Sequence, residues 1–157
     1  MRAVPAACLD LIHQFEGKDG TFEATRQQDP VGNWEIGWSH KLSGPSDPLW
    51  DATLAKGDAD DLAMQDLSTT ASATWVALGD AAVQNLTDNQ WAAVLDFVYN
   101  EGVGHFKASA LCHLISTGDL ANAVNEFPKW IYAGSPPRAL AGLIRRRNAE
   151  VALWNTP

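Results

Sequence analysis

Three observations predict an α+β fold that is predominantly α-helical. Apolar residues recur at helical spacing through most of the 157 residues, and capping signals mark the starts of several helices. One stretch, residues 18–44, is instead rich in Gly, Asp, Gln and Thr and contains a short strand pattern, Trp34–Trp38. The length fits one domain with a sizeable core.

The composition excludes several classes of protein. A hydrophobic fraction of 46% and a charged fraction of 19% argue against a disordered or collagen-like chain. No run approaches the roughly 18 apolar residues of a membrane helix, and the first residues lack the h-region of a secretory signal. A net charge of −8 opposes nucleic acid as a partner. Cys8 and Cys112 form neither a disulfide framework nor a zinc set, so we expect two reduced, packed thiols.

The N-terminal third combines one helix with the β patch. A helix is expected from about Pro5 to Glu16, and Gly17 is its stop. Residues 18–44 are expected to form a small antiparallel sheet, because turn signals such as Asp29-Pro30 bound the strand pattern.

The remaining chain reads as helices. One is expected from Asp58, whose carboxylate can cap it, to about residue 78, before Gly79-Asp80. Thr87 and Gln90 form a capping box that opens a strongly apolar helix. Three further helices are expected at about 106–116, 119–127 and 137–154.

These elements predict a single domain over residues 1–157. Its β-bearing part covers about 18–57, a connecting helix about 58–78, and a helical part 80–157 that includes the N-terminal helix. Three tryptophans are expected in the helical core: Trp91, Trp130 and Trp154. The basic cluster at 145–147 is expected to be a solvated face, with an Arg146–Glu150 pair worth a few tenths of a kcal/mol.

The candidate catalytic residues are carboxylates. The four histidines lie far apart without metal-site spacing, and the chain has no GxSxG elbow or phosphate-binding glycine loop. Glu16 at a helix end, with Asp29 and Glu35 around a turn and strand, supplies the carboxylates that glycoside hydrolysis needs. We expect no metal and no organic cofactor.

The pattern around these acids resembles the phage-type (T4-like) lysozyme and endolysin family, glycoside hydrolase family 24. The resemblance starts with Phe15-Glu16-Gly17 and the stretch Asp29-Pro30-Val31-Gly32-Asn33-Trp34-Glu35-Ile36-Gly37-Trp38-Ser39-His40. It continues through Tyr99-Asn100-Glu101-Gly102 and ends with Gly142-Leu143-Ile144-Arg145-Arg146-Arg147, so it covers nearly the whole chain in order.

The resemblance implies a role for each position. Glu16 matches the general acid, and Asp29 matches the aspartate that holds the attacking water. His40 matches a histidine that pairs with an acid on the connecting helix, and Asp66 stands where that acid is expected, as a structural contact. Asn100 matches a position where the family places an amide side chain at the cleft, so it is a candidate for substrate binding. Two further candidates do not come from the resemblance. Trp38 shares a strand face with Trp34 by alternation and could stack on a sugar or pack in the core, and Arg138 is a basic candidate.

Two departures from the family pattern bear on the mechanism. The loop between Glu16 and Asp29 is longer than in the family, and Glu35 stands where the family usually has Thr. A third carboxylate can act as base or nucleophile, and like charges should raise at least one pKa. Stereochemistry stays open, since carboxyl groups about 5 Å apart imply retention and about 6.5–9.5 Å imply inversion.

The resemblance implies an endolysin that hydrolyses the β-1,4 bond between N-acetylmuramic acid and N-acetylglucosamine in bacterial peptidoglycan. It would be a monomer made in the host cytoplasm, without stable membrane insertion, and would depend on a separate holin to reach the wall. Two alternatives remain open: a lytic transglycosylase that uses Glu16 alone, and a catalytically silent peptidoglycan-binding module.

Overall fold

The computed structural model describes residues 2–17, 20–29 and 32–157. Parts of two sequence predictions, the start of the β-bearing part at residue 18 and the Asp29-Pro30 turn, lie outside these residues. The chain divides into two compact units, and the divisions fall after Cys8 and after Leu67. One unit is Leu9–Leu67, and the other joins the N-terminal residues to Ser68–Pro157. The expected α+β, mostly helical fold class is confirmed.

The Leu9–Leu67 unit contains the β patch. It holds most of helix α1 (Ala6–Phe15), the strands β1 (Glu23–Gln28), β2 (Trp34–Gly37) and β3 (His40–Lys41), and the first half of α2 (Lys56–Leu78). The strands form one antiparallel sheet in the order β1-β2-β3. β2 pairs with β3 through Glu35 opposite Lys41 and Ile36 opposite His40. The strand expected over Trp34–Trp38 ends one residue earlier, at Gly37, because Trp38 lies in the turn.

Helix α2 begins two residues before the predicted start. Asp58 does not stand at the N-cap but in the first turn, where its Oδ2 accepts a hydrogen bond from the Ala55 backbone N–H at 3.0 Å. A carboxylate in this position satisfies an unpaired N–H at the helix end and complements the helix dipole. The residue type was therefore predicted for the right physical reason, but at the wrong position in the helix.

The second unit is mainly helical. Its elements after α2 are α3 (Asp80–Gln84), α4 (Asp88–Glu101), α5 (Val103–Lys107), α6 (Ala110–Ser116), α7 (Leu120–Ala123), a 3₁₀ helix (Val124–Lys129), β4 (Tyr132–Ala133), β5 (Arg138–Ala139) and α8 (Ala141–Trp154). The helix expected over 106–116 is thus two helices, because Ser109 accepts a hydrogen bond from Cys112 N–H and caps α6. The last helix begins at Ala141 rather than 137, because Arg138 and Ala139 pair with β4.

Helix α4, which the sequence predicts as strongly apolar, is buried along most of its length. The capping box is present: Thr87 Oγ1 accepts from Gln90 N–H, and Gln90 Oε1 accepts from Thr87 N–H. Phe97 packs against the rings of Phe106, Phe127 and Trp130 at 5.4–6.3 Å between centroids. The prediction of core positions is confirmed for Trp91 and Trp154, which are 0% and 5% exposed, whereas Trp130 is half-buried.

The basic cluster on α8 is only partly a solvated face: Arg145 is exposed, but the prediction is wrong for Arg146 and Arg147. Arg146 and Arg147 are buried because they neutralise buried acids: Arg146 binds both oxygens of Asp96, and Arg147 binds Glu150 at 2.6 Å. Arg146 also lies 4.0 Å from Glu150, the pair that the spacing predicted. Burial, with the charge of Asp96, raises the pKa of Glu150 well above its usual range.

Both cysteines are buried free thiols, as expected. Burial raises the pKa of Cys8 and of Cys112, which keeps both thiols protonated and unreactive. Across residues 2–17, 20–29 and 32–157, no helix has the length and apolar character that crossing a membrane requires.

Candidate active site

Glu16 lies immediately after the last residue of α1. Its backbone N–H donates to Ile12 O at 2.8 Å, which completes the final turn of the helix, and its side chain is half-buried. The helix ends because Gly17 adopts φ +72°, a left-handed conformation that glycine takes without strain. The sequence prediction of a carboxylate at the end of the first helix is therefore correct to within one residue.

A polar hub fixes the last turn of α1 to the start of α2. Asp60 Oδ1 lies 2.8 Å from His13 Nε2 and accepts a 2.8 Å hydrogen bond from Trp38 Nε1, while Lys56 Nζ donates to Oδ2 at 2.7 Å. Burial alone would raise the pKa of Asp60, but the hydrogen bonds from these three side chains lower it overall. His13 stands one turn before Glu16, so this hub holds the backbone that carries Glu16.

Trp38 is part of that hub and not a surface residue. It is 2% exposed, and its ring packs against His13 with 4.6 Å between centroids. A sugar stacks on a ring face that solvent can reach, and the buried indole of Trp38 offers none. The structure therefore does not support the prediction that Trp38 binds substrate, and its indole N–H instead orders Asp60.

Asp29 follows β1 and is held by its own loop. Its Oδ1 accepts from the Asn33 backbone N–H and its Oδ2 from Asn33 Nδ2, both at 2.8 Å. The backbone closes the same turn, since Asp29 N–H donates to Asn33 O at 2.9 Å. Asp is suited to such a turn because its short side chain reaches backbone groups a few residues on.

Glu35 lies on β2 directly opposite Lys41 on β3, and Lys41 brings the two carboxylates together. Lys41 Nζ donates to Glu35 Oε2 at 2.8 Å and to Asp29 Oδ2 at 2.9 Å. Burial alone would lower the pKa of Lys41, but the hydrogen bonds and charges of Glu35 and Asp29 raise it overall, so Lys41 stays cationic.

His40 makes the contact that the resemblance implied. Its Nδ1 lies 2.8 Å from Asp66 Oδ2 on α2, and the hydrogen bond to Asp66 raises the pKa of His40, with a smaller contribution from Asp47. The contact ties β3 to α2 next to Lys41. The predicted His40–Asp66 contact is confirmed by this geometry.

The two remaining candidates lie in the other compact unit. Asn100 is exposed near the end of α4, and its Oδ1 accepts a 3.0 Å hydrogen bond from Arg147 Nη2. Arg138 is exposed on β5. The hydrogen bond from Arg147 fixes the orientation of the Asn100 amide. The roles of Asn100 and Arg138 toward substrate stay predictions.

Sequence reasoning missed Lys41 and Asp60. Lys41 follows the quoted motif by one residue, and a hairpin turning at Trp38 would have paired it with Glu35, so its signal was present. Asp60 carries no such signal, because its partners come from three separate elements. No group of three or more His, Cys, Asp or Glu side chains in the described part of the chain is arranged to hold a metal ion.

Comparison with known proteins decides the family. The family described as phage lysozyme matches residues 13–150, which include every carboxylate above. The chain belongs to the phage lysozyme family. Among relatives, it is 29% identical to an endolysin of Bacillus phage PZA, over 98% of this chain and 55% of that one. It is also 29% identical to an endolysin of Acyrthosiphon pisum secondary endosymbiont phage 1, over 94% of both chains.

The solved structures give the same fold. The muramidase domain of SpmX from Asticaccaulis excentricus is 30% identical, matches 100% of both chains and has a TM-score of 0.84. This chain spans about half the length of the Bacillus phage PZA relative.

Proposed function

We propose that this phage lysozyme is a muramidase that hydrolyses the β-1,4 bond between N-acetylmuramic acid and N-acetylglucosamine in bacterial peptidoglycan. The observation that carries the proposal is the carboxylate pair Asp29–Glu35, joined by Lys41 in the same compact unit as Glu16. Membership of a family of glycoside hydrolases supports the reaction class, because such enzymes use a carboxylic acid and a carboxylate around the glycosidic bond.

Each carboxylate has a distinct part in the proposed reaction. Glu16 protonates the leaving glycosidic oxygen, and Asp29 and Glu35 position or activate the attacking water, or one of them attacks the sugar. Asn100 and Arg138 contact the glycan. This chemistry uses no metal and no organic cofactor.

The cellular role follows from the same proposal. The relatives are named endolysins, and several are named SAR-endolysins, which supports host cell lysis as the biological outcome. The protein would be made in the host cytoplasm as a monomer and reach the wall with the help of a separate holin. Peptidoglycan is the partner, not nucleic acid, because the net charge of −8 repels a polyanion of phosphates.

Loss of turbidity of purified peptidoglycan tests the proposal. The wild type should clear the suspension, and Glu16→Gln should slow clearing by about 100-fold or more, because a general acid contributes at least that factor. Asp10→Asn is the matched control, since Asp10 is an exposed acid on the same helix. A wild type that fails to clear walls digested by a known muramidase would contradict the proposal.

A further inference from the structure

The pairing of β2 with β3 determines the position of Lys41. The register of β2 and β3 sets Glu35 directly opposite Lys41, and directly opposed residues in an antiparallel pair have neighbouring side chains. The Nζ of Lys41 therefore meets Glu35 Oε2 at 2.8 Å while it also reaches Asp29 Oδ2 at 2.9 Å. One ammonium group bridges both carboxylates.

The contact of Lys41 with both carboxylates reduces the repulsion that Glu35 introduces next to Asp29. Two carboxylates that share one site repel each other. Asp29 and Glu35 are 13% and 17% exposed, so water screens their repulsion incompletely. Lys41 is a cation in contact with both carboxylates, so its charge offsets their repulsion.

The two carboxylates differ in how their oxygens are used. Both side-chain oxygens of Asp29 are held: Oδ1 accepts from the Asn33 backbone N–H, and Oδ2 accepts from Asn33 Nδ2 and Lys41 Nζ. Glu35 Oε2 accepts a hydrogen bond from Lys41 Nζ. Its Oε1 faces Ser39 Oγ at 3.4 Å, which is long for a hydrogen bond between oxygens. Glu35 Oε1 is therefore the more available acceptor of the pair.

We infer that Lys41 is a positioning residue that clamps Asp29 and Glu35 together and presents Glu35 Oε1 as the base that takes the proton of the attacking water. The inference rests on the proposed function and assigns the division of labour within it. As the C1–O bond breaks, Glu16 gives its proton to the leaving oxygen. The water oxygen bonds to C1, and the water proton passes to Glu35 Oε1, so one proton is given and one is taken. Asp29 is the loop anchor that holds Lys41 from the other side.

A double-mutant cycle tests this role in the full chain. The variants are Lys41→Met, Glu35→Thr, the double variant and Lys41→Arg, with kcat and KM measured on soluble peptidoglycan fragments. Lys41→Met should lower kcat by about tenfold or more, because a displaced general base loses part of its contribution to the rate. The KM should change less than about twofold. Lys41→Arg should recover most of kcat, because it restores a cation that can bridge two carboxylates.

The cycle separates an action through Glu35 from a general loss of charge or fold. In the Glu35→Thr background, Lys41→Met should change kcat less than twofold, because the group it positions is gone. Lys107→Met removes one exposed lysine on α5 and should leave kcat and KM unchanged. Melting temperatures of all variants show whether a lost activity is lost folding.

Each failure has its own signature. A wild type that releases no fragments would overturn the proposed function and this inference together. An active wild type whose Lys41→Met variant keeps its kcat would overturn the inference alone. The inference would also be overturned if Lys41→Met lowered kcat by the same factor in the wild type and in the Glu35→Thr variant.

Discussion

The guanidinium of Arg146 on α8 binds both carboxylate oxygens of Asp96 on α4, at 2.9 and 2.8 Å, and both side chains are buried. The two residues are 50 positions apart in the sequence, so the pair joins the central helix of its unit to the last helix of the chain. Arg147 extends the cluster to Glu150 and Glu101. A bidentate geometry compensates part of the cost of burying the charges.

Removing Asp96 should therefore destabilise the protein strongly. Asp96→Ala leaves Arg146 buried without its main partner, and we expect a loss of about 3–5 kcal/mol in the free energy of unfolding. Asp88→Ala is the control, because Asp88 pairs with Arg2 at an exposed position and should cost about 1 kcal/mol or less. Urea unfolding measures both, and equal losses would contradict the account.

The turn after Glu16 should tolerate only glycine. A Cβ at Gly17 would overlap the backbone O of Thr21, and φ there is +72°. Gly17→Ala should cost about 2 kcal/mol or more and lower activity, since it displaces the end of α1. Gly57→Ala in α2 meets no atom within 4 Å and should raise stability by about 0.5–1 kcal/mol. Thermal unfolding of the two variants should move in opposite directions.

The His40–Asp66 contact should contribute a pH-dependent stability. The pKa of His40 is raised in the folded protein above the ordinary value of about 6.5. The contribution is therefore fully present below about pH 6.5 and is lost as pH rises through the raised pKa. The difference in unfolding free energy between wild type and Asp66→Asn should be about 1 kcal/mol at pH 5.5 and shrink toward alkaline pH. Asp61→Asn, at an exposed position on the same helix, should give a flat difference, and a flat difference for Asp66→Asn would refute this role.

The capping box at the start of α4 should make a measurable contribution to the free energy of unfolding. Thr87→Ala removes the hydroxyl that accepts from Gln90 N–H and should cost about 1 kcal/mol. Thr87→Ser keeps the hydroxyl and should restore most of the stability. Chemical denaturation of the three proteins checks this, and a Ser variant as unstable as the Ala variant would assign the loss to the methyl group instead.

Local signals predicted the features that depend on neighbouring residues. The capping box at Thr87, the helix stop at Gly17 and the core position of Trp91 each rest on a few adjacent residues, and the structure confirms all three. The His40–Asp66 contact came from resemblance to the family, which carries long-range information that a single pattern lacks.

Pairings between distant segments were not predictable in the same way. The arginines of α8 look solvated in sequence, because nothing near them shows that Asp96 is buried opposite. The β4–β5 pairing was missed because two-residue strands have no periodicity to detect. For Trp38, alternation along a strand indicates a shared face but not whether that face is exposed, and the indole is buried.

Mass spectrometry of the fragments that the wild type releases from purified peptidoglycan tests the central claim most directly. Hydrolysis with Glu16 as acid and a carboxylate-activated water predicts reducing N-acetylmuramic acid ends, and none of these fragments from Glu16→Gln. Fragments with 1,6-anhydro ends would contradict the account, because the sugar's own hydroxyl would then have replaced water. That result would leave Asp29 and Glu35 without their proposed part in the reaction.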